Sequence, residues 1–201
     1  MKHLAIRILV VCLCCVSYAA NAQSKKKLKT IQDKDGNSYE IKSMPGKLTW
    51  ITSNLNVNIP DSYVYYNQDT FALKYGRLYN WEAAKEGCKT LGKEWRLPTE
   101  EEWHKVSTAF GGVADDSKDS GRVAYMELLF DGKSGLNTQW GGRRDANNQY
   151  FQGKVIGYYW TATETNATQA WVYLFHRIFG NLNRTNDGDK DRFLSVRCVK
   201  K

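Results

Sequence analysis

Three prolines and three histidines are few for a chain of 201 residues, and of its five cysteines Cys12, Cys14 and Cys15 crowd into the first fifteen positions. The scarcity of histidine already narrows the chemistry. His104 follows Trp103 on the polar side of an expected helix and His176 ends an expected strand, so neither forms a pair or a His-Glu spacing that would read as a zinc site. There is no internal repeat and no low-complexity tract, which excludes solenoids and fibrous arrays. No run approaches the roughly 20 apolar residues of a membrane-spanning helix; the stretch Ile8 to Val16 falls well short of that length. A strong charge bias is also missing from the body of the chain. The net charge is +8, but Lys2, Arg7, Lys25, Lys26, Lys27 and Lys29 all precede the first acid, Asp33, and from there 23 basic residues face 21 acidic ones. A nearly neutral body lacks the basic face that a phosphate backbone requires, so nucleic acid is not an expected partner.

What is present at the N-terminus is an export leader in composition. Lys2, His3 and Arg7 precede the short apolar run, and the small residues Ala20 and Ala22 fit the shallow subsites of signal peptidase. The expected cleavage removes residues 1–22, starts the mature chain at Gln23 and leaves no transmembrane segment in it. Val10 and Val11 before Cys12 are bulkier than the residues that precede a lipid-modified cysteine, so Cys12, Cys14 and Cys15 are expected to leave with the leader. Residues 23–32 read as a basic linker and 33–201 as one domain, long enough to bury a core. The protein is therefore expected in the periplasm, on the cell surface or secreted.

Within that domain, Asp35, Gly36 and Asn37 form a turn signal, followed by a short alternating strand over Ser38 to Lys42 and another over Leu48 to Ile51. Asn80 is a good N-cap, and Trp81, Ala84, Cys88 and Leu91 recur at helical spacing before Gly92. Thr99 and Glu102 have the spacing of a capping box, with Trp103, Val106 and Phe110 facing inward and Gly111 and Gly112 ending the helix. A third helix is expected near Tyr125 to Phe130. The segments Val155 to Thr163, Ala170 to His176 and Phe193 to Val199 are rich in aromatic and branched residues and read as strands. Helices first and an antiparallel sheet after them make the fold class α+β.

Four ordered blocks carry a family resemblance: YGRLYNW from Tyr75, WRLPTEEEW from Trp95, GYYWTATE from Gly157 and SVRCV from Ser195. The opening DKDGN from Asp33, with Thr49, Trp50, Asn54 and Leu55, agrees with them. Together they resemble the Fibrobacter succinogenes major paralogous domain across nearly all of 33–199. Departures are the GLNTQWGGRR segment from Gly135, where that family tends to show Leu-Pro-Gly-Gly, and the acidic run Asp187 to Asp191. The resemblance implies a C-type-lectin-like fold, with two main helices packed on small twisted antiparallel sheets and long loops at one end. It also implies exported or surface proteins of Bacteroidetes type, with no known activity. Given that fold, a disulfide between Cys88 and Cys198 is expected: the two remain after leader removal, the compartment is oxidising, and the fold sets the first helix against the last strand.

Each candidate site has a plain competitor. Arg96 to Trp103 also resembles part of the formylglycine-generating oxidases, which use a pair of active-site thiols, yet the mature chain offers only Cys88 and Cys198. Glu100, Glu101 and Glu102 fill the first turn of a helix, where the macrodipole favours negative side chains. Asn186, Asp187, Asp189 and Asp191 present hard oxygen ligands of the kind calcium takes, which makes calcium the one candidate cofactor. They do not form an EF-hand loop, and a solvated turn explains them equally. Asn166 with Thr168 and Asn183 with Thr185 match a glycosylation pattern without implying its use. Trp140 and Tyr150, with Arg143 and Arg144, lie in a glycine- and asparagine-rich loop and are the expected ligand-binding patch, exposed and dispensable for folding. The resulting expectation is a non-catalytic recognition module with glycan or surface protein as partner, against a structural part of a cell-envelope assembly or a divergent oxidase.

Overall fold

The structure, a computed structural model, describes residues 28–201. The expected leader, its cleavage before Gln23 and Lys25 to Lys27 lie outside the described residues.

The first hairpin is organised by one carboxylate. β1 (Thr30–Gln32) and β2 (Ser38–Met44) pair antiparallel around a turn in which Gly36 takes a φ of 84°. Within it Asp33 accepts hydrogen bonds from the Asp35 and Asn37 amides at 2.9 and 3.0 Å and from the Tyr39 hydroxyl at 2.6 Å. The Asn37 side-chain amide donates a fourth at 2.9 Å, and four hydrogen bonds to one short side chain explain why an aspartate is tolerated at a buried position. β3 (Leu48–Ile51) pairs with β2, and β11 (Val199–Lys200) closes the sheet in the order β1-β2-β3-β11. A smaller pair, β4 (Ser62–Tyr63) and β5 (Leu78–Tyr79), brackets α1 (Asp69–Tyr75).

The two expected main helices are present with their expected caps. In α2 (Trp81–Lys89) the Asn80 side chain accepts from the Ala83 amide, and Trp81, Ala84 and Cys88 are buried. α3 (Glu100–Ala109) starts in a complete capping box between Thr99 and Glu102 and buries Trp103 and Val106. Positive φ at Gly111 (121°) and Gly112 (89°) lets the chain turn out of the helix without a Cβ clash. The third helix, α4 (Arg122–Leu128), begins and ends earlier than the expected Tyr125 to Phe130. Asp119 moves the start back by accepting from the Gly121 and Val123 amides, and Leu129 ends it with an extended backbone that bridges to Thr138.

The largest remaining sheet is three-stranded and antiparallel in the order β10-β9-β8, made of β8 (Ile156–Glu164), β9 (Gln169–His176) and β10 (Asn181–Asp189). Both faces are covered. Tyr158, Trp160 and Val172 point into a core shared with α2, Leu194, Val196 and the cysteines. Tyr159, Tyr173, Phe175 and Leu182 point into a second core built on Trp103, Val106, Ala124 and Leu128. The expected continuous strand from Phe193 to Val199 is not there: only its last residue belongs to β11. Instead the segment threads between sheets, and its residues bridge in turn to Arg144, Tyr79, Tyr159 and Arg96. The chain is thus a mixed helix and antiparallel-sheet domain. Among the described residues no helix is long and apolar enough to cross a membrane.

Two buried links close this architecture. Cys88 and Cys198 form a disulfide with S–S 1.98 Å and Cα–Cα 5.5 Å, both residues fully buried. Arg197 is also fully buried, and among the described residues no carboxylate bonds it. Its guanidinium donates to Asn54 Oδ1 at 2.9 Å and to the carbonyls of Ile51, Leu136 and Asn137 at 3.2, 2.5 and 2.6 Å. Burial pushes its pKa down.

Candidate functional site

A cleft of about 280 Å³ opens at the edge of the three-stranded sheet, where β10 departs from regular pairing. Its floor is Val172, Leu174 and Leu194, and Arg143, Tyr158, Thr185, Asp187 and Arg192 supply polar walls. The register of β10 on β9 shifts between Thr185 and Gly188, which pushes Asp187 outward as a bulge does. Gly188 is required by the close approach that follows. A Cβ there would meet Val172 Cγ2 at 2.4 Å and Trp160 at 3.1 Å, distances that no side chain survives without movement of the strand.

The two arginines of the cleft are paired to aspartates outside its lining. Arg143 Nε lies 2.9 Å from Asp145 Oδ1, and its Nη1 reaches the Tyr158 hydroxyl at 3.4 Å. Tyr158 donates in turn to the Gln152 side chain. Arg192 Nη2 sits 2.6 Å from Asp189 Oδ2, and Thr185 donates to Asp187 at 2.5 Å. Burial raises the pKa of Tyr158, with Arg143 opposing, so the hydroxyl remains a donor at neutral pH. The result is an apolar floor ringed by oriented donors and acceptors, with guanidinium planes held by their ion partners. Such a surface has the hydrogen-bonding groups and the apolar floor that a polar ligand requires.

The four residues expected to form one exposed patch are placed in three different surroundings. β6 (Arg143–Arg144) pairs with β7 (Tyr150–Phe151), and alternation along the strand sends its two arginines to opposite sides. Arg143 enters the cleft. Arg144 is only 7% exposed and lies 3.8 Å from the Tyr63 ring centroid and 4.5 Å from that of Phe193. Tyr150 packs on Tyr65 at 5.1 Å and donates its hydroxyl to the Val64 carbonyl at 3.1 Å. Trp140 packs edge-on to Phe130 at 5.7 Å, lies under Arg177 and contributes to the second core. The expected exposed patch is therefore corrected: an aromatic cluster claims Arg144 and Tyr150, Trp140 packs on the second core, and Arg143 faces the cleft.

The candidate calcium ligands divide between two surface pockets, with Asp187 lining the cleft and Asp189 and Asp191 lining another beside Lys190. Asp189 is held by Arg192, and Asn186 and Asp191 are exposed. In the adjoining turn the Lys190 ammonium sits 2.7 Å from Glu164 and 2.9 and 3.1 Å from the carbonyls of Asn166 and Ala167, so a lysine already engages those oxygens. Among the described residues no three His, Cys, Asp or Glu side chains are grouped to hold a metal ion.

The other ionisable groups singled out in the sequence serve helix ends and strand packing. Glu100 pairs with Arg184 at 2.6 Å, Glu101 with Lys105 at 2.8 Å and Glu102 with Arg96 at 2.6 Å. His104 lies between Arg184 and Asp116, while burial lowers the pKa of His176 beside Phe179. Sequence reading missed Tyr158 and Arg192 as cleft residues. Tyr158 stands inside the GYYWTATE block and Arg192 ends the acidic run, but nothing local in the sequence shows that they meet Arg143.

A family model, the Fibrobacter succinogenes major domain, matches residues 19–200. No curated protein matches the chain.

Proposed function

The chain belongs to the Fibrobacter succinogenes major domain family, and from that premise we propose that it is an exported, non-catalytic recognition module whose cleft between Arg143 and Arg192 binds a glycan. The observation that carries the reading is that both arginines of the cleft are held in ion pairs by aspartates beside it. Arg143 with Asp145 and Arg192 with Asp189 present fixed donors and acceptors with little net charge, which suits vicinal hydroxyl groups better than a phosphate or a free carboxylate. The apolar floor of Val172, Leu174 and Leu194 suits the C–H face of a sugar ring. The thiol pair that an oxidase would need is held as a buried disulfide, which also favours binding over catalysis. The same reading takes the fold as C-type-lectin-like. Its support is the pair of capped helices on antiparallel sheets, the helix-to-end disulfide and the long irregular segment between α4 and β8.

A glycan array probed with the purified domain, alongside its Arg143→Ala and Arg192→Ala variants, tests this directly. Selective capture of one saccharide class, lost in both variants with the fold intact, is the expected result. Capture that survives both substitutions would place recognition elsewhere, and no capture of any saccharide would remove the glycan reading.

A further inference from the structure

Several large apolar side chains are exposed, Leu73 on α1 most of all, and one group of them lies around the turn between β9 and β10. The turn between β9 and β10 carries Ile178 and Phe179 at its tip, 76% and 68% exposed, and Phe130 beyond α4 is 45% exposed. These positions are physically linked. Phe130 meets Trp140 edge-on at 5.7 Å, the Arg177 guanidinium lies 4.9 Å from the Trp140 ring, and Arg177 Nη1 reaches the Lys154 carbonyl at 3.2 Å. The tip itself is a four-residue turn closed by the Gly180 amide on the His176 carbonyl at 2.9 Å, with Gly180 at a φ of 61°. Two bulky side chains are thus held outward by a turn that the strands below it keep in place.

We propose that this region is a membrane-interface site, in which Ile178 and Phe179 insert among the acyl chains of an anionic lipid surface while Arg177 and Lys154 meet the headgroups. Shape argues for lipid. The apolar residues form a convex tip and not a groove, so a protein partner would need a matching pocket, whereas a bilayer interface yields to a small apolar wedge. Charge argues for the same occupant. Among the described residues Arg177 and Lys154 are in no ion pair, in contrast to the arginines of the cleft; Arg177 adjoins the wedge with its charge uncancelled, and Lys154, whose carbonyl accepts from Arg177 and whose ammonium rests 5.2 Å from the Phe71 ring, is a second unpaired cation.

Co-sedimentation of the purified domain with vesicles tests the proposal. Vesicles of phosphatidylglycerol mixed with phosphatidylcholine are compared with phosphatidylcholine alone, each at low and high salt. The expected result is binding to the anionic vesicles that weakens with salt. The double variant Ile178→Asp, Phe179→Asp should reduce partitioning by at least about tenfold, given the roughly 1.5–3 kcal/mol that full burial of one large apolar side chain is worth. Arg177→Ser with Lys154→Ser should instead weaken only the anionic preference. An unchanged melting curve for each variant shows that folding is not the cause. Absence of partitioning into anionic vesicles, or equal partitioning of wild type and the double aspartate variant, overturns the proposal. So does a dimer in sedimentation velocity that the double variant dissociates, because the tip would then cover a second copy of the chain.

Discussion

Arg143 and Arg144 are neighbours in sequence with opposite duties, and a single residue's offset on a two-residue strand decides which is which. Arg144 lies against Tyr63 and Phe193 in a nearly dry setting, where a cation over an aromatic face is worth on the order of 2 kcal/mol. Arg144→Ala is therefore expected to lower unfolding free energy by about that amount in a urea titration. Arg143 shares its charge with a partly exposed Asp145, a setting in which a pair contributes up to about 1 kcal/mol. Arg143→Ala should accordingly melt close to wild type while losing ligand capture, and equal destabilisation by the two changes would contradict this assignment. No composition argument separates the pair, because glycine and asparagine around them suggest an exposed loop for both. Arg197 was hidden more deeply. Its place in the SVRCV block marks it as a family feature, but only the structure reveals that its donors hold the carbonyls of Ile51, Leu136 and Asn137 together. A lysine there would offer a point charge in place of a planar fork and would leave some of those acceptors unpaired.

At the scale of elements, helices were legible because their boundaries are written in local chemistry. Asn80 and Thr99 cap the helices that follow them, and the buried positions recur every three or four residues. The acid limb of stability follows from one of these caps. Burial pushes the Glu102 carboxyl up, but hydrogen bonds from Arg96 and from the Thr99 amide outweigh it and hold the pKa below its ordinary value of 4.5. A depressed carboxyl contributes stability that is complete above the unfolded pKa and is lost as pH falls through the folded one. Glu102→Gln keeps a side chain able to cap and removes the titration, so its stability should fall less steeply than that of wild type below pH 4.5. Denaturant titrations of both proteins between neutral pH and the acid limb measure this, and parallel curves would show that the Arg96 pair carries no folding energy. Strands were less legible where pairing came from distant sequence. β10 reads NLNRTNDGD, polar enough to pass for a turn, and it is a strand because it forms the sheet edge, with Leu182 as its main core contact. The segment from Phe193 has strand composition yet bonds to a succession of separate elements, so composition detected its burial and not its pairing.

For the whole molecule, the decisive feature is that the end of the chain is the joint between its parts. Residues 193–199 bridge β5, β6, β8 and the Arg96 segment before β11 completes the first sheet, so the domain cannot be finished until its last residues are docked. Cys198 lies at this joint, bonded to Cys88 on α2 across a separation of 110 residues. Closing so long a loop in the unfolded chain lowers its entropy by an amount worth roughly 4.7 kcal/mol at room temperature in the chain-entropy picture. Typical domains are stable by only about 5–15 kcal/mol, so the crosslink is comparable to the whole margin. The double variant Cys88→Ala, Cys198→Ala is thus expected to unfold at a much lower urea concentration. Its m value should also be larger, because an uncrosslinked unfolded chain exposes more surface. Digestion of the native protein without reductant should release one linked peptide pair containing both residues. Two thiols titrating in the folded protein, or a variant as stable as wild type, would remove the crosslink from the account of stability. Such a bond forms in an oxidising compartment, which ties this measurement to export. The mass of the protein recovered from cells should correspond to a chain starting at Gln23. If Met1 to Ala22 were retained, the pair would sit in a reducing environment and the joint would have to hold by packing alone.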